Sequence, residues 1–272
     1  MGCVGRLFML LLLIVIGLFA YCYFTPADEY ARARALMKLR QTDAAIEAYE
    51  QGIRRFPKSK FTPQARYELG MAYFAKSDYA RAAAQLRRAL AEDPGNPQAA
   101  KAQYTIAVCC LKLGKKQKAM LELAKLRQRY GHIHGLVARA ELQLAQLYFD
   151  EGDYTNAAKR ASWILNNEGD SEFAPAARLL LGDIAWKAKR TENAIKHYQR
   201  VSADYPSTRE ALEAHLKLAK IYQERKEFDK AWQECKDLLR VSGKMGSKML
   251  HDERLKKIVE EAKHLGESLL KL

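Results

Sequence analysis

The chain has 272 residues, five cysteines and a formal net charge of +14. Five cysteines in a chain of this length do not form the disulfide framework of a small secreted domain, which excludes that class. Length alone suggests about two globular domains, but no break in composition divides residues 26–245, so we predict a single structural unit there.

An apolar run opens the chain. Residues Leu7–Phe24 carry no charge and are long enough to span a bilayer, so residues 1–25 are either an uncleaved anchor or an export signal. The cleavage flank Leu18-Phe19-Ala20 has only its last residue small, which favours the anchor. Tyr21 precedes Cys22, and this bulky residue disfavours a bacterial lipoprotein.

Charges around the run indicate its orientation. Arg6 precedes it, while Asp28 and Glu29 follow it, so the positive side is the N-terminal side. Arg32 and Lys38 lie close behind the acidic pair and weaken this argument. We predict a single-pass N-terminal membrane anchor, with the rest of the chain on the periplasmic or extracytoplasmic side.

The next element is a repeat. One alanine recurs every 37 or 38 residues within a similar apolar frame, at Ala45, Ala82, Ala119, Ala157, Ala194 and Ala231. Self-similarity at such a period means that each unit is a supersecondary element that must stack on its neighbours to bury its apolar face. We therefore expect function on an extended surface.

The second unit shows the internal pattern most clearly. Apolar residues recur every three or four positions on both sides of residues 76–78, which predicts two antiparallel helices and a turn. Gly70 and Ala82 lack bulk and would let the paired helices approach closely. Pro94 has no amide hydrogen and ends the second helix.

These residues resemble the tetratricopeptide repeat, whose pattern has a Leu-Gly pair, then Tyr, Ala, a bulky residue, Ala and Pro. The pair appears as Leu69-Gly70 and Leu181-Gly182, and the terminal Pro as Pro57, Pro94 and Pro206. The resemblance implies an all-α, right-handed superhelical solenoid whose inner surface is lined by the first helix of each repeat. The six predicted repeats span residues 26–59, 63–96, 100–133, 138–171, 175–208 and 212–245.

The usual period of this family is shorter than the period found here. Two connecting segments, Phe56–Ala65 and Tyr205–Ala211, are similar to those of bacterial envelope proteins of the outer-membrane assembly and cell-division coordination type. This resemblance implies a role in cell-envelope assembly.

Two rows of residues are expected on the inner surface. Tyr30, Tyr67 and Tyr104 are equivalent and would form a ladder of phenol rings. A second row two turns further along consists of Phe74, Leu111, Phe149 and Trp186. Exposed rings supply apolar area at a low cost in rotamer entropy, so these rows are the predicted groove for a peptide or helix of a partner protein. The alternative is that packing between repeats consumes part of them.

The third repeat contains a cluster of basic residues between Lys112 and Arg129, and Glu122 is the one acidic residue in this segment. It comprises Lys112, Lys115, Lys116, Lys118, Lys125, Arg127 and Arg129. Such a patch attracts an anionic partner, namely lipid headgroups, an acidic polymer or an acidic protein, whereas nucleic acid would require the reverse topology. Solvated helix faces are the alternative interpretation.

No cofactor, metal or catalytic site is predicted. The pair His132 and His134 lacks a third metal ligand. The remaining cysteines are interpreted as small apolar residues of the core; they are Cys109, Cys110 and Cys235. The chain has no phosphate-binding glycine loop, zinc-binding His-Glu-x-x-His or nucleophile elbow.

The C-terminal segment, residues 247–272, is predicted to be an amphipathic helix. Its apolar face comprises Leu255, Ile258, Val259, Ala262, Leu265 and Leu269. The open end of a solenoid needs such a cover, so we predict a capping helix, with a separate peptide-like arm as the alternative.

Together these elements predict a membrane-anchored, noncatalytic scaffold for protein interactions that takes part in bacterial cell-envelope assembly. Two alternatives stay open at this point. One is a component resembling the lipoproteins of outer-membrane β-barrel assembly, and the other is a regulatory subunit that presents a substrate to an enzyme.

Overall fold

The structure is a computed structural model that describes residues 25–246 and 252–270. Over those residues the chain forms thirteen α-helices and no β-strand. The helices are α1 (Pro26–Lys38), α2 (Thr42–Arg55), α3 (Thr62–Ala75), α4 (Tyr79–Glu92), α5 (Ala99–Lys112), α6 (Lys116–Tyr130), α7 (His134–Asp150), α8 (Tyr154–Asn167), α9 (Ala174–Lys187), α10 (Thr191–Asp204), α11 (Arg209–Glu224), α12 (Phe228–Lys244) and α13 (Glu253–Leu269).

The helices fall into two compact units divided after Tyr130, whereas the uniform composition predicted a single unit. The described part of unit 1 consists of α1–α6, and that of unit 2 consists of α7–α13. Within each unit, successive helices pair as antiparallel hairpins, and each second helix packs on the first helix of the next hairpin. The predicted all-α repeat architecture is therefore confirmed.

Small residues set the distance between the two helices of a hairpin. In unit 1, a Cβ added at Gly70 would lie 2.7 Å from the Leu86 side chain, and Ala82 is fully buried at the same crossing. In unit 2, the Tyr198 ring occupies the space beside Gly182. A bulkier residue at either glycine would force its neighbour to move, because protein interiors are packed without spare volume.

Every first helix ends in the same tight turn. A backbone amide after the helix donates to the carbonyl five residues earlier, as from Gln41 to Leu36 at 3.0 Å and from Lys115 to Cys110 at 2.8 Å. This is the bond of a Schellman motif, which satisfies carbonyls left free at a helix end. The residue before each donor has a positive φ; these residues are Arg40, Ser77, Gly114, Gly152, Lys189 and Lys226.

Polar side chains form a recurring pair between the two helices of a hairpin, nineteen residues apart in sequence. The pairs are Arg66 with Gln85 (3.3 Å), Gln103 with Glu122 (2.6 Å), Glu141 with Arg160 (3.4 Å) and His215 with Glu234 (2.6 Å). Partners are needed at these positions because a buried polar group without a hydrogen bond is costly.

Helix α13 covers the last hairpin of unit 2. Asp252 caps its N-terminus by accepting from two backbone amides. Its apolar face lies in one buried cluster with residues of α11 and α12, namely Leu212, Leu216, Leu238, Leu255, Ile258, Val259 and Ala262. Leu265 is only partly buried in this arrangement. The segment thus packs on the solenoid as a helix.

The predicted anchor, Leu7–Phe24, lies outside the described residues. Within residues 25–246 and 252–270, no helix combines the length and the apolar character needed to cross a bilayer. The handedness of the superhelix stays a prediction.

Candidate functional site

The inner side of unit 2 is formed by its first helices. Helix α9 contacts both α7 and α11, whereas the second helices α8, α10 and α12 make no contact of that extent with one another. Closer approach of the first helices places them on the concave side of this unit. Residues on the free faces of α9 and α11 are therefore candidates for contact with a partner.

A cavity of about 210 Å³ lies between α9 and α11 on this side. Its walls are Trp186 from α9, Tyr198 from α10, and Lys217, Lys220, Ile221 and Glu224 from α11. Trp186 is partly buried and packs against the apolar cluster of unit 2, so its indole has a fixed position. The cavity thus combines a rigid apolar wall with two ammonium groups.

Hydrogen bonds organise the polar half of the cavity. The Tyr198 hydroxyl donates to Asp183 at 2.7 Å, and Lys217 pairs with the same carboxylate at 2.8 Å. Burial, the charge of Asp183 and this hydrogen bond raise the pKa of Tyr198. The phenol therefore stays protonated and acts as a fixed donor that orients Asp183.

The second ammonium group faces the capping helix. Lys220 pairs with Glu261 of α13 at 2.5 Å, and both side chains are about half exposed. An exposed pair of this kind is weak, so Lys220 can exchange Glu261 for an anionic group of a ligand at little cost. The arrangement suits an apolar side chain that lies close to a carboxylate.

The predicted tyrosine ladder is corrected by the structure. Tyr30 is 1% exposed and Tyr67 is 6% exposed, so neither ring lies on an accessible groove surface. The Tyr30 ring packs against Gly52 of its own second helix, and its hydroxyl lies 3.3 Å from Thr62 Oγ1. Both tyrosine rings therefore lie in the interior between packed helices. Tyr104 is only partly buried.

The second predicted row remains partly accessible. Phe74, Leu111, Phe149 and Trp186 are all of intermediate exposure. Two members pack on the tyrosine that opens the following helix, with ring centroids 5.6 Å apart for both Phe74–Tyr79 and Phe149–Tyr154. Internal packing therefore uses part of this row. Among its members, Trp186 alone lines the cavity in unit 2.

The predicted basic patch is divided by the length of α6. This helix has 15 residues, so its two ends lie about 20 Å apart. Lys112, Lys115, Lys116 and Lys118 are exposed at its N-terminal end, while Arg127 and Arg129 lie at the other. Between them, Lys125 pairs with Glu122 at 3.5 Å. The seven residues thus do not form one continuous surface.

The three cysteines of the described residues lie in the core, and the two histidines predicted as a weak metal pair lie at the surface. Cys109, Cys110 and Cys235 are free thiols in the core, and burial raises the pKa of Cys109 and of Cys235 to about 11. Thiols with such a pKa are poor nucleophiles at neutral pH. His134 lies 2.5 Å from Glu168, and His132 is exposed. Residues 25–246 and 252–270 contain no group of three or more side chains that could hold a metal ion.

One histidine in unit 2 has an altered titration. His197 on α10 is partly buried, and its Nδ1 atom has no hydrogen-bond partner. Burial, followed by the positive charges of Arg178 and Arg200, lowers the pKa of His197. This imidazole is therefore neutral at physiological pH.

Sequence reasoning missed most of the cavity. It singled out Trp186 but not Asp183, Lys217, Lys220 or Ile221, because helical spacing alone does not show which side chains of two repeats converge. One signal was available in the sequence. Lys220 occupies the position that Asp183 holds one repeat earlier, and Ile221 corresponds to Ile184. A position that accepts either a lysine or an aspartate is expected to be accessible to solvent.

The repeat family follows from these hairpins and their small-residue crossings. The tetratricopeptide repeat model matches residues 30–97, 67–131 and 142–208, which together cover more than half of the chain. The protein belongs to the tetratricopeptide repeat family. No curated protein sequence matches it.

Several solved structures share the fold at low sequence identity. A tetratricopeptide repeat protein from Parabacteroides merdae has a TM-score of 0.56 and 14% identity, over 88% of this chain and 98% of that chain. The apo form of RapI has a TM-score of 0.63 and 12% identity, over 92% and 79%. YrrB, described as a protein with an unusual peptide-binding site, has a TM-score of 0.54 and 17% identity, over 70% and 91%.

Proposed function

We propose that this protein is a noncatalytic scaffold that binds a segment of a partner protein on the inner side of unit 2, beside Trp186. The observation that carries this proposal is the cavity between α9 and α11, whose wall places the partly exposed Trp186 indole beside two lysines and Glu224. Protein interaction is the general role of tetratricopeptide repeats, to which this chain belongs.

The chemistry of the cavity supports a peptide ligand. Trp186 offers apolar area that is already held in place, so a bound side chain meets little entropic cost on the protein side. Lys220 lies on its rim in an exposed pair with Glu261 and can attract a carboxylate of the ligand in its place. A partner segment with an apolar residue next to Asp or Glu fits these features. The peptide-binding site of YrrB, which has the same fold, is consistent with this use.

We further propose that the N-terminal run holds this scaffold at a membrane and that the scaffold serves envelope assembly. Support for attachment comes from the uncharged residues Leu7–Phe24 and their poor cleavage flank. Support for the envelope role comes from the connecting segments Phe56–Ala65 and Tyr205–Ala211. Both points rest on the sequence.

The groove is tested by crosslinking and substitution. A photoreactive amino acid in place of Trp186, in the full chain in its native membrane, should capture a partner whose crosslinked peptide carries an acidic residue beside an apolar one. Trp186→Ala should then weaken binding of that synthetic peptide about tenfold, because a buried aromatic anchor contributes on the order of 1–2 kcal/mol. Calorimetry of the purified protein measures this change.

Phe228→Ala is the matched control, because Phe228 is also an aromatic residue of unit 2 and is 37% exposed. It should leave the affinity unchanged. Equal weakening by both substitutions, or normal binding by the Trp186 variant, would rule out this groove.

Membrane attachment is tested separately by the intact mass of the purified protein. A mass that includes Leu7–Phe24 supports the anchor, and an N-terminus within residues 21–28 contradicts it. Neither result affects the groove measurement, so the two parts of the proposal stand or fall independently.

A further inference from the structure

The turns between first and second helices lie along one edge of unit 1. We call this edge, formed by residues 38–43, 76–81 and 112–118, the turn edge. Its first two turns touch directly, since Lys76 pairs with Asp43 at 3.0 Å. The third turn follows on the same side, because α1–α6 are antiparallel hairpins that share one core. Residues far apart in sequence thus form one surface.

The turn edge carries a surplus of positive charge. Its two acidic residues are already paired, Asp43 with Lys76 and Asp78 with Arg81 at 2.5 Å. Six further cations are exposed and make no ion pair with a described residue; they are Lys38, Arg40, Lys112, Lys115, Lys116 and Lys118. Concentrated charge of one sign raises the local concentration of an oppositely charged partner and speeds its association.

Two leucines project among these cations. Leu39 is 68% exposed and Leu113 is 37% exposed. Each lies in a turn between basic residues, with Lys38 and Arg40 beside Leu39. A surface that served solubility alone would not need leucines at its tips. Cations with interspersed leucines fit a partner that is both acidic and apolar.

We propose that the turn edge of unit 1 is a docking surface for an acidic protein segment that also carries apolar side chains. The alternative partner, an anionic bilayer, is less consistent with the position of the edge. Helix α1 begins at Pro26, directly after the apolar run, and its 13 residues carry the chain about 20 Å to the turn edge. This step rests on the membrane attachment proposed above, and it separates the edge from the end of the run by the length of one helix.

The equivalent edge of unit 2 serves as an internal reference. Its turns mix both signs: the first contains Asp150, Glu151 and Asp153, and the second contains Lys187, Lys189 and Arg190. An acidic partner would meet attraction and repulsion there in nearly equal measure. The docking surface is therefore specific to unit 1.

The test uses the full-length protein held in a phosphatidylcholine nanodisc and three probes. The first is a fluorescein-labelled synthetic peptide of glutamate and leucine, the second is polyglutamate of equal charge, and the third is a vesicle of phosphatidylcholine and phosphatidylglycerol. The edge variant combines Lys112→Gln, Lys115→Gln, Lys116→Gln and Lys118→Gln. We expect it to bind the glutamate–leucine peptide about tenfold more weakly than the parent at low salt, with a smaller dependence on salt.

A control variant removes the same number of charges elsewhere. Lys58, Lys101, Lys196 and Lys257 are exposed and form no ion pair with a described residue, so their change to Gln matches the edge variant in net charge. This control should stay within about twofold of the parent. Circular dichroism should show the parent helicity in both variants, because all eight side chains are exposed.

A second variant tests the apolar contribution. Leu39→Ser with Leu113→Ser should weaken the glutamate–leucine peptide and leave polyglutamate binding unchanged. Equal affinity of the edge variant and the parent for the peptide would overturn the proposal. Vesicle binding that depends on the four lysines, without a comparable effect on the peptide, would overturn it in favour of a lipid partner. Cleavage of the N-terminal run would remove the proposed anchor without altering these measurements.

Discussion

The two units are built from the same hairpin but fill it with different residues. The equivalent core position of the first helix is tyrosine in every hairpin of unit 1 and leucine in every hairpin of unit 2. These residues are Tyr30, Tyr67, Tyr104, Leu142, Leu179 and Leu216. The backbone tolerates either residue, because a stacked repeat requires apolar volume at this position and no particular side chain. Divergence between the units is therefore expected at their surfaces and ends.

The surfaces of the two units differ in charge and in exposed apolar residues. Unit 1 carries unpaired cations and two exposed leucines along its turn edge, whereas unit 2 has mixed charge there and a cavity beside Trp186. One fold thus presents two chemically distinct surfaces. The two proposals assign a separate partner to each unit, and we expect perturbations of one unit to leave the other intact.

The largest expected effect is the removal of the cap from unit 2. A chain ending at Gly246 lacks α13 and exposes Leu212, Leu216 and Leu238. We expect unit 2 to lose on the order of 5 kcal/mol or more, since each buried aliphatic side chain contributes about 1.5–3 kcal/mol. Hydrogen exchange should show faster exchange in α11 and α12.

Unit 1 supplies the control in the same experiment, because the apolar cluster that α13 completes consists of residues of unit 2. Exchange in α1–α6 should match that of the parent chain. Uniform destabilisation of both units would contradict their independence, and unchanged exchange in α11 and α12 would show that α13 is a dispensable arm.

A smaller effect is expected from adding one methyl group at the two equivalent glycines. Gly182→Ala should destabilise the protein by about 1–3 kcal/mol, because overpacking forces its neighbours to move. The neighbour in unit 2 is the Tyr198 ring, which Asp183 holds by a hydrogen bond of 2.7 Å. Gly70→Ala should cost less, since Leu86 can change rotamer.

Chemical denaturation of both variants measures the difference. Gly135→Ala is the control, because an added Cβ there meets no atom within 4 Å. A larger loss for Gly70→Ala than for Gly182→Ala would refute the explanation based on the rigid ring.

The smallest expected effects lie in the turns. Lys189 in unit 2 has a φ of 57°, and Gly114 in unit 1 has a φ of 71° at the equivalent position. Lys189→Gly should stabilise its unit by about 0.5–1 kcal/mol, and Gly114→Ser should destabilise its unit by a similar amount, because glycine relieves the steric cost of this conformation. Thermal unfolding should shift in opposite directions for the two variants, and shifts of the same sign would exclude a shared turn geometry.

The spacing of residues along the sequence predicted the helical repeat well, but it predicted the residues of the partner-binding groove poorly. The equivalence of Gly70 and Gly182 followed from spacing, and the structure confirms both as close crossings. Tyr30 and Tyr67 followed from the same spacing, but their assignment to an exposed surface was wrong. A period identifies equivalent positions, whereas exposure depends on how far neighbouring helices approach.

The sequence by itself therefore determined the helical hairpin, its period and the amphipathic cover of the last repeat, because these depend on local spacing and on the burial of one helix face. Only the tertiary structure decided which equivalent residues remain accessible. Packing buried Tyr30 and Tyr67, brought Trp186 together with Lys217, and divided the basic residues of α6 between two edges. Such contacts join residues of different helices, and their geometry depends on side-chain packing that no single segment of sequence specifies.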